Sequence, residues 1–387
     1  MQHLGAGDWA GAASAWGELL RIHPRDALAL QWAHLFDFYR GDARLLHDRA
    51  EAVLPSWRED DALQPYVLAM HAFGLEESGL YAEAEATGRR ALASTARVPW
   101  AIHAVAHVME MQGRHEEGAG WMGDWRRHWG GRDGDGGPES GAEPNGFAGH
   151  LGWHEALFAL EGLDTGAALR LFDTYLGAGR IEITLQRVDA ASLLWRLHLL
   201  GADVGGRWRA LLDGWPLDAA VAGRSVFNDA HSTMALLGAG ATARARDWVA
   251  LCIGHAERRT GWNRDLSREI GAPLLRGLLA FGEGRFVDAA EAIAPLRNRL
   301  PRIGGSHAQR DVVEQTLLAA PRAAATAPRG SPCIRRARAP NRRRPSARGG
   351  RGPCAECRSF RRAAARAFRS RSRARPLAAQ ASDRATA

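Results

Sequence analysis

The chain has 387 residues, with 51 basic against 43 acidic side chains and a formal charge of +8. Residues 321–387 carry nineteen Arg against Glu356 and Asp383, whereas residues 1–320 hold 32 Arg against 41 acids, together with all 14 Trp and all 15 His. The basic excess therefore implies nothing about the body; no run approaches the roughly 20 apolar residues of a membrane span, and a single body cysteine, Cys252, excludes a disulfide framework.

The start, MQHLGAGDWAGA, has neither a basic n-region nor an apolar h-region, so a cytoplasmic placement is the expectation. Strand signals are sparse, and apolar residues recur at helical spacing between Gly-centred turns. These turns fall at Gly7, Gly41, Gly79, Gly113, Gly162, Gly201, Gly238 and Gly282. Their spacing begins at 34 residues and stretches by insertions, which predicts stacked helical hairpins.

The first clear copy is GDWAGAASAWGELLRIHP, with Trp9, Ala12, Trp16 and Pro24. A small residue lets two helices approach, and a large one fills the groove between them. GLYAEAEATGRRAL repeats the pattern with Tyr81 and Ala84, and GRFVDAAEAIAPL with Phe286 and Ala289. In this register the first copy's opening helix would lie before Met1, so the expectation is a chain that begins further upstream.

The segment WAIHAVAHVMEMQGRHEEG places His103, His107 and Glu110 on one helix face, with Arg114 extending the stripe. Residues 130–146 follow, with seven Gly and two Pro in 17 positions, and predict a flexible insertion. Asp133 and Asp135 have the look of a calcium loop, but Gly137 and Pro144 stand where acids are required. NGFAGHLGWHEALFALEG then carries Asn145 ahead of His150 and His154 at i, i+4. Further on, FNDAHSTMAL supplies His231 and GGSHAQRDVVEQTL supplies His307 and Asp311; His71 belongs to the same class of first helices. First helices of stacked hairpins line the concave surface, so these side chains are expected to converge there.

Three readings of that convergence stand beside one another. A His pair at i, i+4 is a common way to hold a transition metal, and two pairs with Glu110 or Asp311 would complete a site. A groove for a small ligand or peptide is the second. The third is a buried polar network that fixes repeat stacking. The HExxH order is absent, because Ala104 follows His103 and Gly152 lies between the second pair. Ser225, Ser306 and Cys252 lack a nucleophile context, GAGATARA lacks the strand and Lys of a phosphate loop, and no catalytic residue is assigned. Trp100, Trp121, Trp125, Trp129 and Trp153 read as core.

The tail is Arg, Ala, Pro, Ser and Gly without apolar periodicity, which predicts disorder. Its composition also matches an out-of-frame reading of GC-rich DNA. Cys354 and Cys357 form a lone CxxC, a weak zinc signal. Nucleic-acid binding is expected only non-specifically, through this tail.

The repeat pattern resembles the tetratricopeptide repeat, with degenerate copies: Leu19 and Gly88 depart from it, while Ala72, Ala84, Ala91 and Gly277 match. HAVAHVMEMQGR, NGF-x2-H-x3-H, DAHSTMAL and GSHAQRDVVEQTL further resemble the tetratricopeptide repeat protein 38 family over roughly residues 1–320. The matching positions are His103, His107, Glu110, Asn145, His150, His154, His231, His307, Gln309, Arg310 and Asp311. The resemblance implies an α-helical repeat scaffold binding a protein or peptide partner, with no assigned reaction. The expectation is an all-α solenoid over 1–320, with an insertion at 130–146 and a disordered tail at 321–387.

Overall fold

A computed structural model describes residues 3, 8–130, 147–177, 179–258 and 262–326. Asn145, nearly all of the 130–146 insertion and residues 327–387 of the tail lie outside the described residues. The described residues form sixteen helices and no strand. They are α1 (Trp9–Ile22), α2 (Ala27–Arg40), α3 (Ala43–Val53), α4 (Gln64–Glu77), α5 (Tyr81–Ser94), α6 (Pro99–Met111), α7 (His115–Trp129) and α8 (Ala148–Glu161). There follow α9 (Thr165–Tyr175), α10 (Thr184–Leu199), α11 (Arg207–Asp213), α12 (Val226–Gly238), α13 (Thr242–Arg258), α14 (262–282, with a π turn at Ser267–Gly271), α15 (Phe286–Ile293) and α16 (His307–Thr326). A 3₁₀ stretch, Ala294–Ile303, joins the last two, and α16 continues six residues past the expected boundary at 320.

Local chemistry sets the helix starts. Asp8, Asp26, Asp42 and Asp164 each accept a backbone N–H three residues on, at 2.8 to 3.1 Å, satisfying one of the orphan donors of the first turn. Gly41 adopts φ +65° and ends α2, and Asp42 beside it begins α3. The predicted turn positions hold, with shifts of detail. At 162 the left-handed residue is Leu163, and near 238 and 282 it is Gly240 and Gly284. Gly7 lies outside the described residues.

The helices form two rows. Helices α2, α4, α6, α8, α10, α12 and α14 are successive neighbours on the inside, and α3, α5, α7, α9, α11, α13 and α15 pack outside them. Ala12, Ala84 and Ala289 of the repeated pattern are buried, as close helix approach requires. Gly88, where the repeat pattern calls for an aromatic residue, sits so close to Val105 that any Cβ there would overlap it.

Two of the inner helices, α4 and α8, are covered almost all round. In α4 and α8 twelve of fourteen residues are buried, so no polar stripe faces a groove. Two features cause this. The row curls until α2 meets the 294–303 stretch, with Gly41 against the Pro301 carbonyl and Gly304 against Tyr39. Helix α16 then lies against α6, α10, α14 and α15, filling the inward side. The Trp195 indole donates to Thr316 Oγ1 at 2.9 Å, Arg196 to the Ala308 carbonyl at 2.6 Å, and Arg310 to Glu77 at 3.1 Å. Part of the concave surface expected to receive a peptide is thus occupied by the chain's own last helix.

Candidate metal centre

Pro99 opens α6, where its missing N–H costs nothing. One and two turns later the helix aims His103 and His107 inward, and the adjoining α8 aims His150 and His154 at them. All four imidazoles are buried, and one ring nitrogen from each lies within 4.8 Å of the others. His103 Nε2 and His150 Nε2 are 3.0 Å apart. The His107 ring is 4.4 Å, centroid to centroid, from both His103 and His154. Phe73 and Trp100 pack on His103 from one side, and Trp153 stacks on His150 with an interplanar angle of 14°.

Carboxylates hold the outer nitrogens. His150 Nδ1 lies 2.7 Å from Asp189 Oδ2 on α10, and His154 Nδ1 lies 3.0 Å from Glu110 Oε2 on α6. Gln309 of α16 donates to the other Asp189 oxygen at 3.1 Å. A carboxylate accepting from Nδ1–H fixes the tautomer that leaves Nε2 as a lone pair. Asp189 thereby leaves His150 Nε2 as an acceptor, and Glu110 does the same for His154 when it carries its charge.

Burial and mutual repulsion hold His103, His107 and His154 well below the ordinary histidine range, so they are neutral in the metal-free protein. Burial pushes the Glu110 carboxyl up to about 8. The four histidines do not satisfy one another. His103 Nδ1, His154 Nε2 and both nitrogens of His107 have no hydrogen-bond partner among the described residues. Each buried polar atom left so costs about 1–3 kcal/mol. A complete polar network would not leave four.

A transition-metal ion suits this donor set. Imidazole nitrogens bind Zn, Cu, Ni and Fe, and four bonds of about 2.0–2.1 Å place the nitrogens roughly 3.3 Å apart. The His103–His150 pair already stands near that separation, and the other nitrogens reach it by a contraction of about 1 Å or more. With four imidazoles bound, a tetrahedral site is closed, which is the pattern of structural sites.

The remaining candidates fall elsewhere. His231 is buried on α12, its Nδ1 2.8 Å from the Phe227 carbonyl oxygen, outside the four-histidine group. His307 faces Glu76 and Glu77 at 3.9 Å, and Asp311 takes a hydrogen bond from Gln315. His71 tilts against His47 with ring centroids 5.4 Å apart, away from the group. Cys252 is buried and its thiol is pushed up by burial, which suits an inert core position. Trp129 and Trp153 are core, as expected.

Asp189, Glu76 and Arg196 are residues of this interior that the sequence pattern does not mark. Their one signal was charge inside segments that are otherwise apolar, VDAASLLWRL and AFGLEE. Buried charge in such a helix asks for a partner on a neighbouring element, and only the packing names it.

No family model matches the chain. A tetratricopeptide repeat protein from Parabacteroides merdae ATCC 43184 is similar in structure, with a TM-score of 0.39 and 13% identity, covering 79% of this chain and 99% of that one. The architecture rests on the helices themselves. No described helix is long and apolar enough to cross a membrane.

Proposed function

We propose that this chain is a helical-repeat protein of tetratricopeptide repeat protein 38 type, whose interior holds one transition-metal ion through His103, His107, His150 and His154. The reading rests on one observation: Asp189 and Glu110 lie at hydrogen-bond distance from Nδ1 of His150 and His154, which leaves Nε2 of each ring free for an ion in the histidine cluster. The closed donor set makes the ion a structural clamp between α6 and α8, and no reaction is assigned. A reducing, cytoplasmic setting is part of the proposal, supported by the free, buried Cys252.

Elemental analysis of the purified full chain, dialysed without chelator, tests this beside a His103→Ala/His154→Ala double variant. About one equivalent or more of a transition metal in the wild type, lost in the variant, is the expected result. A folded, metal-free wild type that gains none on titration with Zn²⁺ would sink the proposal.

A protein partner is the second reading, and an exposed face of α2 favours it over the filled interior. Leu28 and Trp32 lie one turn apart on α2 at 67% and 57% exposure, with Ile22 exposed on the adjoining α1. Exposed apolar residues grouped on one face suit an amphipathic partner helix. A photo-crosslinker at position 32 should then trap a discrete partner that one at exposed Arg44 does not.

A further inference from the structure

Acidic groups outnumber guanidiniums in the interior around the histidines. Glu76, Glu77, Glu110 and Asp189 bring four carboxylates to the interior, whereas Arg196 and Arg310 bring two guanidiniums. Buried charges are ordinarily paired or bound to metal. Asp189 and Glu110 are engaged by His150 and His154. Glu77 accepts the His307 backbone N–H at 2.8 Å and Arg310 at 3.1 Å. Glu76 remains: it is fully buried, and neither of its oxygens has a hydrogen-bond partner among the described residues.

What faces Glu76 is equally unsatisfied. Its Oε2 is 3.6 Å from His107 Nδ1, and its Oε1 is 3.9 Å from His307 Nδ1. Both of those nitrogens also lack a hydrogen-bond partner. Glu76 of α4 thus faces unsatisfied ligand-type nitrogens of α6 and α16, the second on a half-buried side chain. Separations of 3.6 and 3.9 Å are too long for hydrogen bonds. They are the separations of two donors bound to one ion at about 2.1 Å with a wide angle between the bonds.

Resting on the four-histidine reading, we infer that Glu76, His307 Nδ1 and His107 Nδ1 hold a second divalent transition ion beside the first. His107 joins the two positions, with Nδ1 toward Glu76 and Nε2 left for the cluster of four. Binding at both nitrogens makes this imidazole an anion, and its N–H proton leaves to solvent as the second ion enters. The mixed carboxylate and imidazole set suits Zn²⁺, Mn²⁺ or Fe²⁺. The second position is the less closed of the two, with three protein ligands and His307 at its half-buried edge, so it is the place where a small molecule would reach metal.

Zn²⁺ titration of the apo full chain, with bound metal counted by mass spectrometry, separates the two positions. The expected result is two equivalents in the wild type, one in Glu76→Gln and one in His307→Ala. Gln is the shape of a protonated Glu76, so if that carboxyl is merely neutral the substitution changes no count. One equivalent in the wild type and in both variants overturns the second position and leaves the first. None in a folded wild type overturns both. His307→Ala changes a partly exposed side chain and keeps the test decisive where Glu76→Gln fails to fold.

Discussion

His103 and His150, 47 residues apart, meet Nε2 to Nε2 at 3.0 Å inside the protein, and neither ring is open to water. Without a metal, one of these nitrogens must donate and the other accept. Asp189 decides which, because its hold on His150 Nδ1 makes His150 Nε2 the acceptor. His103 is then protonated on Nε2, which leaves its unpartnered Nδ1 as a bare lone pair.

Removing metal should loosen the fold. A ligand that binds only the native state at about a thousand times its Kd stabilises it by about 4 kcal/mol. Adding a chelator is therefore expected to lower the thermal midpoint by several degrees, and His150→Ala to abolish that response. Calorimetry with and without chelator checks both.

The carboxylates behind the histidines are expected to act on affinity. Asp189→Asn and Glu110→Gln keep the shapes but weaken the grip on Nδ1. Each should reduce metal affinity about 10- to 100-fold without changing the number bound at saturation. Competition against a chromophoric chelator measures this. Equal affinity in both variants and the wild type would place Asp189 and Glu110 outside the metal's support.

Acid should unfold the metal-free protein through its buried histidines. Burial lowers His34 from 6.5 to about 3 and His231 from 6.5 to about 4. Between those values and 6.5 the unfolded chain binds a proton that the folded chain refuses. Stability from each is thus full above pH 6.5 and falls as pH drops toward 3 or 4, at up to about 1.4 kcal/mol per pH unit. Glu110 works oppositely: raised to about 8, it favours the folded state below pH 4.5, and this is lost as pH rises to 8. Denaturation of the apo protein across pH 4 to 7 should show a smaller slope in His34→Phe than in the wild type.

The closure of the two ends should depend on Gly41. Its φ of +65° disfavours any side chain, and an added Cβ would overlap the Pro301 carbonyl. Gly41→Ala is expected to cost about 1–3 kcal/mol. Hydrogen exchange should rise in 294–303 while α6 and α8 stay protected. Unchanged exchange there would mean that the contact contributes nothing to closure.

The helical repeat was legible before any coordinates. A Gly turn followed by an aromatic and, three residues on, an Ala is local chemistry, and the turn glycine Gly41 does end α2, with Asp42 beside it capping α3. The histidine pairs were equally legible, because residues at i and i+4 share a face whatever surrounds them. Their being neighbours across α6 and α8 followed from hairpin order.

Tertiary structure alone decided what those faces meet. That Asp189 backs His150 depends on the register of α8 against α10, and Glu76 stands alone because Arg310 comes from α16, more than 230 residues away, to pair with Glu77 instead. Whether the concave side is a groove or an interior depends on a curvature accumulated over the whole row, which no single repeat encodes. Periodicity is a property of neighbours along the chain, so sequence carries it. Partnership between buried charges is a property of neighbours in space, so only the closed fold, with Gly41 against Pro301 and α16 inside, could reveal it.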